Sequence, residues 1–272
     1  MTDRIIDFSK SEQYSLSIRL LSDGFSFYIR SETDSSVSYS KQISFETDTE
    51  TDYNELLKKY VYEEEHILLP YKNVYVIDDV TSVRLVPDEF YDRDHLCLLF
   101  YAGTPADPKK KLIHNPLTRS GYHLIFEYDL ERFSFLTRTF GINRVYSHLS
   151  PLIEYFNKKY DSSEKNKLYL HIGPSRLDVI AFKKNKLNHL NSISVSQTSD
   201  FLYYILTIWE TLQFDQENDE IIYSGETPVI DELIPLLKRY IRTVSILSKP
   251  MDLALKEDQR VPLEILTLTL CE

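Results

Sequence analysis

The stretch "LYLHIGPSRLDVIAFKK", Leu168 to Lys184, sets Gly173 and Ser175 in a turn between two apolar-alternating segments, close to the form of a hairpin that grips phosphate. Glycine at such a turn lets backbone N–H groups close on an anion. Here His171 stands where that hairpin would carry an acid, and Pro174 removes one N–H from the turn. Other reactive residue types are more scattered. His114 and His123 flank a second hairpin but lie on separate strands without further ligands, so ordinary surface or core histidines are expected. Cys97 and Cys271 sit in apolar settings with no CxxC or histidine spacing, and both read as buried, reduced thiols. No G-x-S-x-G elbow marks a nucleophile.

The elements that must hold these residues follow from the period of the apolar side chains. "LSIRLLSDGFSFYI" has Leu16, Ile18 and Leu20, a turn at Ser22-Asp23-Gly24, then Phe25, Phe27 and Ile29. The second hairpin repeats this with Leu168, Leu170 and Ile172, a turn, then Leu177, Val179 and Ala181, at a constant offset of 168 − 16 = 152 residues. A third alternating stretch follows each hairpin, through Val37 to Phe45 and Leu187 to Val195. A helix comes next in each case, one opened by an Asp52/Glu55 capping box and one from about Ser199 or Asp200 through Trp209 and Leu212. Short strands "NVYVI" and "EIIYS" and a proline-opened helix, after Pro87 and after Pro228, complete both copies. This order, strand, strand, strand, helix, strand, helix, occurs twice and reads as an internal duplication. The helix from Asp200 to Phe214 is apolar around most of its circumference and is expected to be covered on nearly every side.

Composition narrows the partners. With 272 residues, 42% hydrophobic, the chain can bury a full core. A net charge of -11 repels a phosphate backbone, so no nucleic acid partner is expected. "FLYYILTIW" is too short to span a bilayer and "MTDRIIDFSK" lacks an apolar signal core, which predicts a soluble, cytoplasmic protein with no transmembrane segment. "YEEEH" at 62–66 reads as a solvated helix end and "DPKKK" at 107–111 as a mobile loop. Twenty tyrosines favour a protein partner, since tyrosine joins wide contact area to a polar tip.

The repeated unit resembles the actin-like ATPase, or ribonuclease H-like, fold. The phrases "LSIRLLSDGFSFYI", "LVPDEF" and "LTLCE" resemble a family of uncharacterised bacterial proteins known only as a domain of unknown function, with the actin-like cytoplasmic proteins of type IV pilus and type II secretion platforms as more distant relatives. The resemblance implies an α/β fold with mixed sheets, duplicated into two subdomains, 1–150 and 151–272, around a cleft into which each hairpin's turn points. Nucleotide-binding members hold phosphate and magnesium through an Asp-x-Gly-Ser/Thr turn in each half. His171, Gly173 and Ser175 match it without the acid, and the first half offers Arg19 at the strand end, with Asp23 and Gly24 fitting a tight turn. On the adenosine side a Gly-Gly pair is reduced to Gly225 and Glu226. A nuclease of this fold would need carboxylates on the first and fourth strands; Asp78 and Asp79 end the fourth, the first has none, and the pair reads as a solvated turn.

The resulting reading is a non-catalytic interaction or scaffold protein with a degenerate nucleotide cleft formed by Asp23, Gly24, His171, Gly173, Ser175, Gly225 and Glu226, without ATP, magnesium or another cofactor. An atypical nucleotide-binding ATPase or sensor, or a cytoplasmic component of a membrane-associated assembly, is the alternative.

Overall fold

Alternation in the first hairpin places Leu16, Ile18 and Leu20 on one face of a strand and Ser15, Ser17 and Arg19 on the other, so each face meets a different layer. The computed structural model describes residues 6–34, 37–46, 51–80, 82–142, 144–160, 164–225, 227–247 and 261–271. In chain order the strands are β1 (Tyr14–Leu21), β2 (Gly24–Ser31), β3 (Ser38–Ser44), β4 (Asn73–Asp78), β5 (Val83–Pro87), β6 (Lys110–Leu117), β7 (Tyr122–Asp129), β8 (Val145–Ser147), β9 (Lys167–Ile172), β10 (Arg176–Lys183), β11 (Lys186–Ser194), β12 (Glu220–Ser224) and β13 (Thr243–Ile246). The α-helices are α1 (Tyr53–Glu63), α2 (Leu96–Tyr101), α3 (Leu130–Phe140), α4 (Leu149–Tyr160), α5 (Thr198–Thr211), α6 (Val229–Leu237) and α7 (Leu263–Leu266).

Two five-stranded mixed sheets have the same plan. The first has the order β3-β2-β1-β4-β8 and the second β11-β10-β9-β12-β13. In each, the opening strand pairs antiparallel with the next one, Leu16 opposite Ile29 and Leu168 opposite Ala181, and parallel with the fourth. The two hairpins therefore occupy corresponding places in the two sheets.

Each sheet buries both faces. Leu16, Ile18, Leu20, Phe25, Phe27 and Ile29 pack with α1 and α3 residues such as Leu57 and Leu136, while the opposite face, with Tyr28, Ile77 and Tyr146, is covered by Val261, Ile265, Leu266 and Leu268 near the C-terminus. In the second sheet Leu168, Leu170, Val179 and Ile221 pack under α5 and α6, and Tyr169, Ile180 and Phe182 meet Leu152, Ile153 and Phe156 of α4. Helix α4 also packs against α7, so these two elements lie in the layer between the sheets.

Several local expectations need correction. Pro87 ends strand β5 instead of opening a helix, and the residues after it form two single 3-10 turns and the short α2. β5 joins β7 and β6 in a third, antiparallel sheet inserted between β4 and β8. Asp52 caps α1 as expected by accepting from the Asn54 N–H, whereas α5 begins at Thr198 with a capping box between Gln197 and Asp200. Only Phe201, Ile205 and Trp209 of α5 are buried; the helix is covered on one side, not all around, because sheet and α6 occupy one flank only. Cys97 is exposed on α2, and only Cys271 is buried. At 62–66, Tyr62 is exposed as expected but Glu64 is buried and pairs with Lys41 at 2.6 Å.

Candidate functional site

The turns singled out in the sequence use their polar groups internally. The Gly173 N–H donates to the Arg176 carbonyl at 2.8 Å, closing the turn on itself, and the Ser175 carbonyl accepts from the Val195 N–H. Ser175 and Asp23 are exposed at the tips, and the Asp23 carbonyl accepts from the Phe45 N–H. Gly24 is required by close approach, since a Cβ there would lie 2.0 Å from the Ile43 carbonyl oxygen of β3. Gly225 has φ +129° and would place a Cβ 2.1 Å from the Ile172 carbonyl oxygen, so backbone packing against the end of β9 fills the position next to it. Glu226 lies outside the described residues.

His171 is brought together with Ser224, its register partner on β12, through a 3.0 Å contact between Nδ1 and Oγ. Behind this contact the chain assembles a network of charges drawn from both sheets and the C-terminal segment. Asp79, just past β4, receives Arg19 of β1 at 3.3 Å and Arg176 of β10 at 2.9 Å, and lies 3.7 Å from His148 Nδ1. Asp178 of β10, fully buried, holds Arg176 Nε at 3.1 Å and His148 Nε2 at 3.0 Å, and accepts from Ser192 Oγ at 2.6 Å. Glu264 of α7, 2% exposed, lies 2.5 Å from Arg19 Nε. His148 sits at the β8–α4 junction, fully buried, with its backbone N–H donating to the Asp78 carbonyl.

The electrostatics follow from this mutual pairing. Burial alone would raise the Asp178 carboxyl, but His148 and Arg176 outweigh it and hold the group well below the ordinary carboxylate range. Asp79 is likewise lowered against its burial, by His148, Arg19 and Arg176, and Glu264 against its own by Arg19 and His171. Burial pushes His171 below the ordinary imidazole value. Two guanidinium groups thus face three carboxylates that already occupy them. A second network adjoins the first hairpin. Asp78 pairs with Arg132 at 2.9 Å, Arg132 Nε donates to Asn54, and the Arg132 guanidinium lies over the Tyr53 ring, whose hydroxyl donates to the Gly24 carbonyl. Burial raises the Asp78 carboxyl against the pull of Arg132.

Asp78 and Asp79 are therefore not a solvated turn: Asp78 is 5% exposed, and both are ion-paired. His114 and His123 face each other across β6 and β7 with ring centroids 5.5 Å apart and Tyr91 stacked on His123, and no metal-binding cluster occurs among the described residues. At the opposite end of β9 from His171, Lys167, Tyr169, Phe156 and Phe182 line a small surface recess with room for about one water.

Residues 3–244 match the model of the family described as "Protein of unknown function (DUF3822)". The chain belongs to this family. A solved structure from Bacteroides thetaiotaomicron, described as a protein with actin-like ATPase fold and unknown function, is 31% identical, with 98% of this chain and 99% of that one covered and a TM-score of 0.83. A structure of the PilM-PilN type IV pilus biogenesis complex matches at 11% identity over 93% of this chain and 94% of that one, with a TM-score of 0.60, which shows the shared fold. No curated protein matches this chain.

In this DUF3822 chain, Arg19 and His171 hold the same place in the two hairpins, 171 − 19 = 152 residues apart; Glu264 pairs with Arg19, and the charge of His171 helps to lower its carboxyl. The sequence reading noted both strand ends but missed Arg176, Asp178, His148 and Glu264. A detectable signal existed for Asp178: an acid inside "RLDVIAFK", on a strand otherwise apolar between its two basic ends, must find a partner when buried. Glu264 had none, because a single acid in "VPLEILTL" reads as a helix's solvent face.

Proposed function

We propose that this chain is a non-catalytic interaction or scaffold protein on the actin-like fold, working in the cytoplasm, whose cleft has exchanged nucleotide binding for an internal ion network. We take the matching strand orders as the trace of a duplication, with halves at 1–150 and 151–272. The observation that carries the reading is the Arg19–Asp79–Arg176–Asp178–His148 network, which ties both sheets together with side chains whose charges are already matched. Magnesium and a triphosphate fit these residues poorly. The carboxylates that could organise the cation are held by arginines, the Gly173 N–H is used within its own turn, and Pro174 has none to give. The candidate residues Asp23, Gly24, His171, Gly173, Ser175 and Gly225 then serve as the packed remains of a phosphate cradle.

A protein partner is supported by the likeness to a fold found within the pilus biogenesis complex, which also supports a place beside a membrane-associated assembly. Among the described residues no helix is long and apolar enough to cross a membrane. Thermal unfolding with millimolar magnesium–ATP tests the reading. A ligand at 100 times its Kd adds about 2.7 kcal/mol, a shift too large to miss. No shift and no hydrolysis above background are expected, and His171→Asp alone should not restore either. A saturable, magnesium-dependent shift abolished by Gly173→Val would establish the atypical-nucleotide alternative instead.

A further inference from the structure

Helix α5 carries more apolar surface than its position uses. Its buried stripe is Phe201, Ile205 and Trp209, yet Tyr203 is 64% exposed and Tyr204 37%, their rings 5.3 Å apart in an edge-to-face pair. Leu202, Leu206 and Ile208 flank the stripe only partly buried. A helix this apolar is ordinarily covered on more than one side. Helix α1, which follows the third strand of the first sheet as α5 follows that of the second, exposes Tyr62 but surrounds it with charge: Glu55, Lys59 and Glu63 face solvent there.

Charge decides what could cover the α5 face. The helix bears Asp200 near one end and Glu210 near the other and no basic residue. Asp231 and Glu232 in the first turn of α6 are exposed beside its N-terminus, where Glu232 accepts from Thr198 Oγ1 at 2.9 Å. The neighbouring basic side chains stay at the other end: Lys183 donates to the Leu212 carbonyl, and Lys238 and Arg239 follow α6. A second copy is disfavoured, because a twofold pairing of α5 with itself in antiparallel fashion would set Asp200 against Glu210.

We propose that the outer face of α5, centred on Tyr203 and Tyr204 and edged by Asp200, Asp231 and Glu232, docks a basic, apolar segment of another protein. This rests on the interaction-protein reading and names the surface and the chemistry of its partner. Exposed tyrosines supply contact area at small entropic cost, and the acidic edge selects the sign of the partner's flanks.

The test uses three synthetic peptides: an amphipathic helix with a leucine stripe flanked by lysines, the same stripe flanked by glutamates, and a scrambled lysine peptide of equal composition. Backbone amide shifts of the full chain are followed during titration. The lysine-flanked stripe should perturb α5 and the start of α6, the other two should not, and Tyr203→Ser/Tyr204→Ser should weaken binding about tenfold or more. Asp231→Lys/Glu232→Lys should weaken it through an altered salt dependence. Both double variants change exposed residues, and unaltered melting temperatures verify that they fold. Equal binding by the variants, or perturbations that avoid α5, would overturn the proposal. So would a dimer, detected by sedimentation, that the tyrosine variant dissociates, since the face would then belong to a second copy. Failure here is separable from failure of the cleft reading, because the magnesium–ATP response is measured without any peptide.

Discussion

The two five-stranded sheets share strand order and pairing sense, yet their surroundings differ. The first is packed on both faces and carries an inserted three-stranded sheet; its outer helix α1 is joined to α3 through Lys58 and Glu131 and shows charges to solvent. The second keeps a bare pair of tyrosines on the equivalent helix. At the hairpins the two halves converge, since Arg19 and His171 stand at matching positions, Arg19 paired with Glu264 and His171 with Ser224. Ion pairs thus tie the two sheets where they meet, while the outer flank of the second leaves Tyr203 and Tyr204 exposed. The fold specifies the frame, and the departures from its symmetry locate the proposed functions.

The sharpest way to break this comparison is to remove a charge at the junction and one at a turn tip. Asp178→Ala deletes the acceptor for Arg176, His148 and Ser192 in a fully buried place and leaves Arg176 with Asp79 alone, so a loss of about 3–5 kcal/mol is expected in urea unfolding. Asp23→Ala, at an exposed tip, should stay within about 0.5 kcal/mol. Similar losses at both sites would mean that the network is no more structural than the turns.

Helix α5 offers a comparison within one element. Trp209, 3% exposed and edge-on to Phe214, should cost about 3–5 kcal/mol when replaced by alanine. Tyr203→Ser should change stability by no more than about 0.5 kcal/mol. A Trp209→Ala loss below about 1 kcal/mol would show that the buried stripe of α5 is not core.

Legibility in the sequence divides along the same line. Period-two alternation and capping signals revealed both hairpins and α1, and short apolar runs revealed β4 and β12, because their apolar residues recur close to the period of the element even where both faces are buried. The third sheet was only half visible. The hairpin of His114 and His123 announced β6 and β7, but β5 hid in "VRLVP", where Pro87 resembles a helix start. In α5 the composition overstated burial, since tyrosine counts as apolar although its hydroxyl is at ease in water. The charge network escaped because its members lie at 19, 79, 148, 176, 178 and 264 and meet only when the sheets face each other. Spacing along the chain carries no trace of such a meeting.

A smaller effect should appear with pH. Burial lowers His171 and His189 in the second sheet and His114 and His123 in the inserted sheet. The unfolded chain therefore takes up these protons first, so stability falls as pH drops below about 6.5. Asp79, Asp178 and Glu264, lowered in the folded state, continue the loss in stronger acid, as pH falls from their unfolded values through their folded ones. Asp78 and Glu154, raised by burial, oppose this trend around the ordinary carboxylate range. Urea midpoints measured from pH 8 to 5 should show a net decrease, opposed by exposed His95, which Asp92 raises, and His171→Gln should flatten part of the decline. A midpoint that rises toward pH 5 would contradict the assignment.

If an ion network, in place of a nucleotide, joins the two sheets, a double-mutant cycle between Asp79 and Arg176 should reveal it. Asp79 directly follows β4 of the first sheet, Arg176 opens β10 of the second, and they meet at 2.9 Å, both partly buried. Asp79→Asn and Arg176→Met should each destabilise the protein, and the double variant should lose less than their sum by about 1–3 kcal/mol. Additivity within about 0.5 kcal/mol would contradict the account, because the two halves would then be held together without help from this pair.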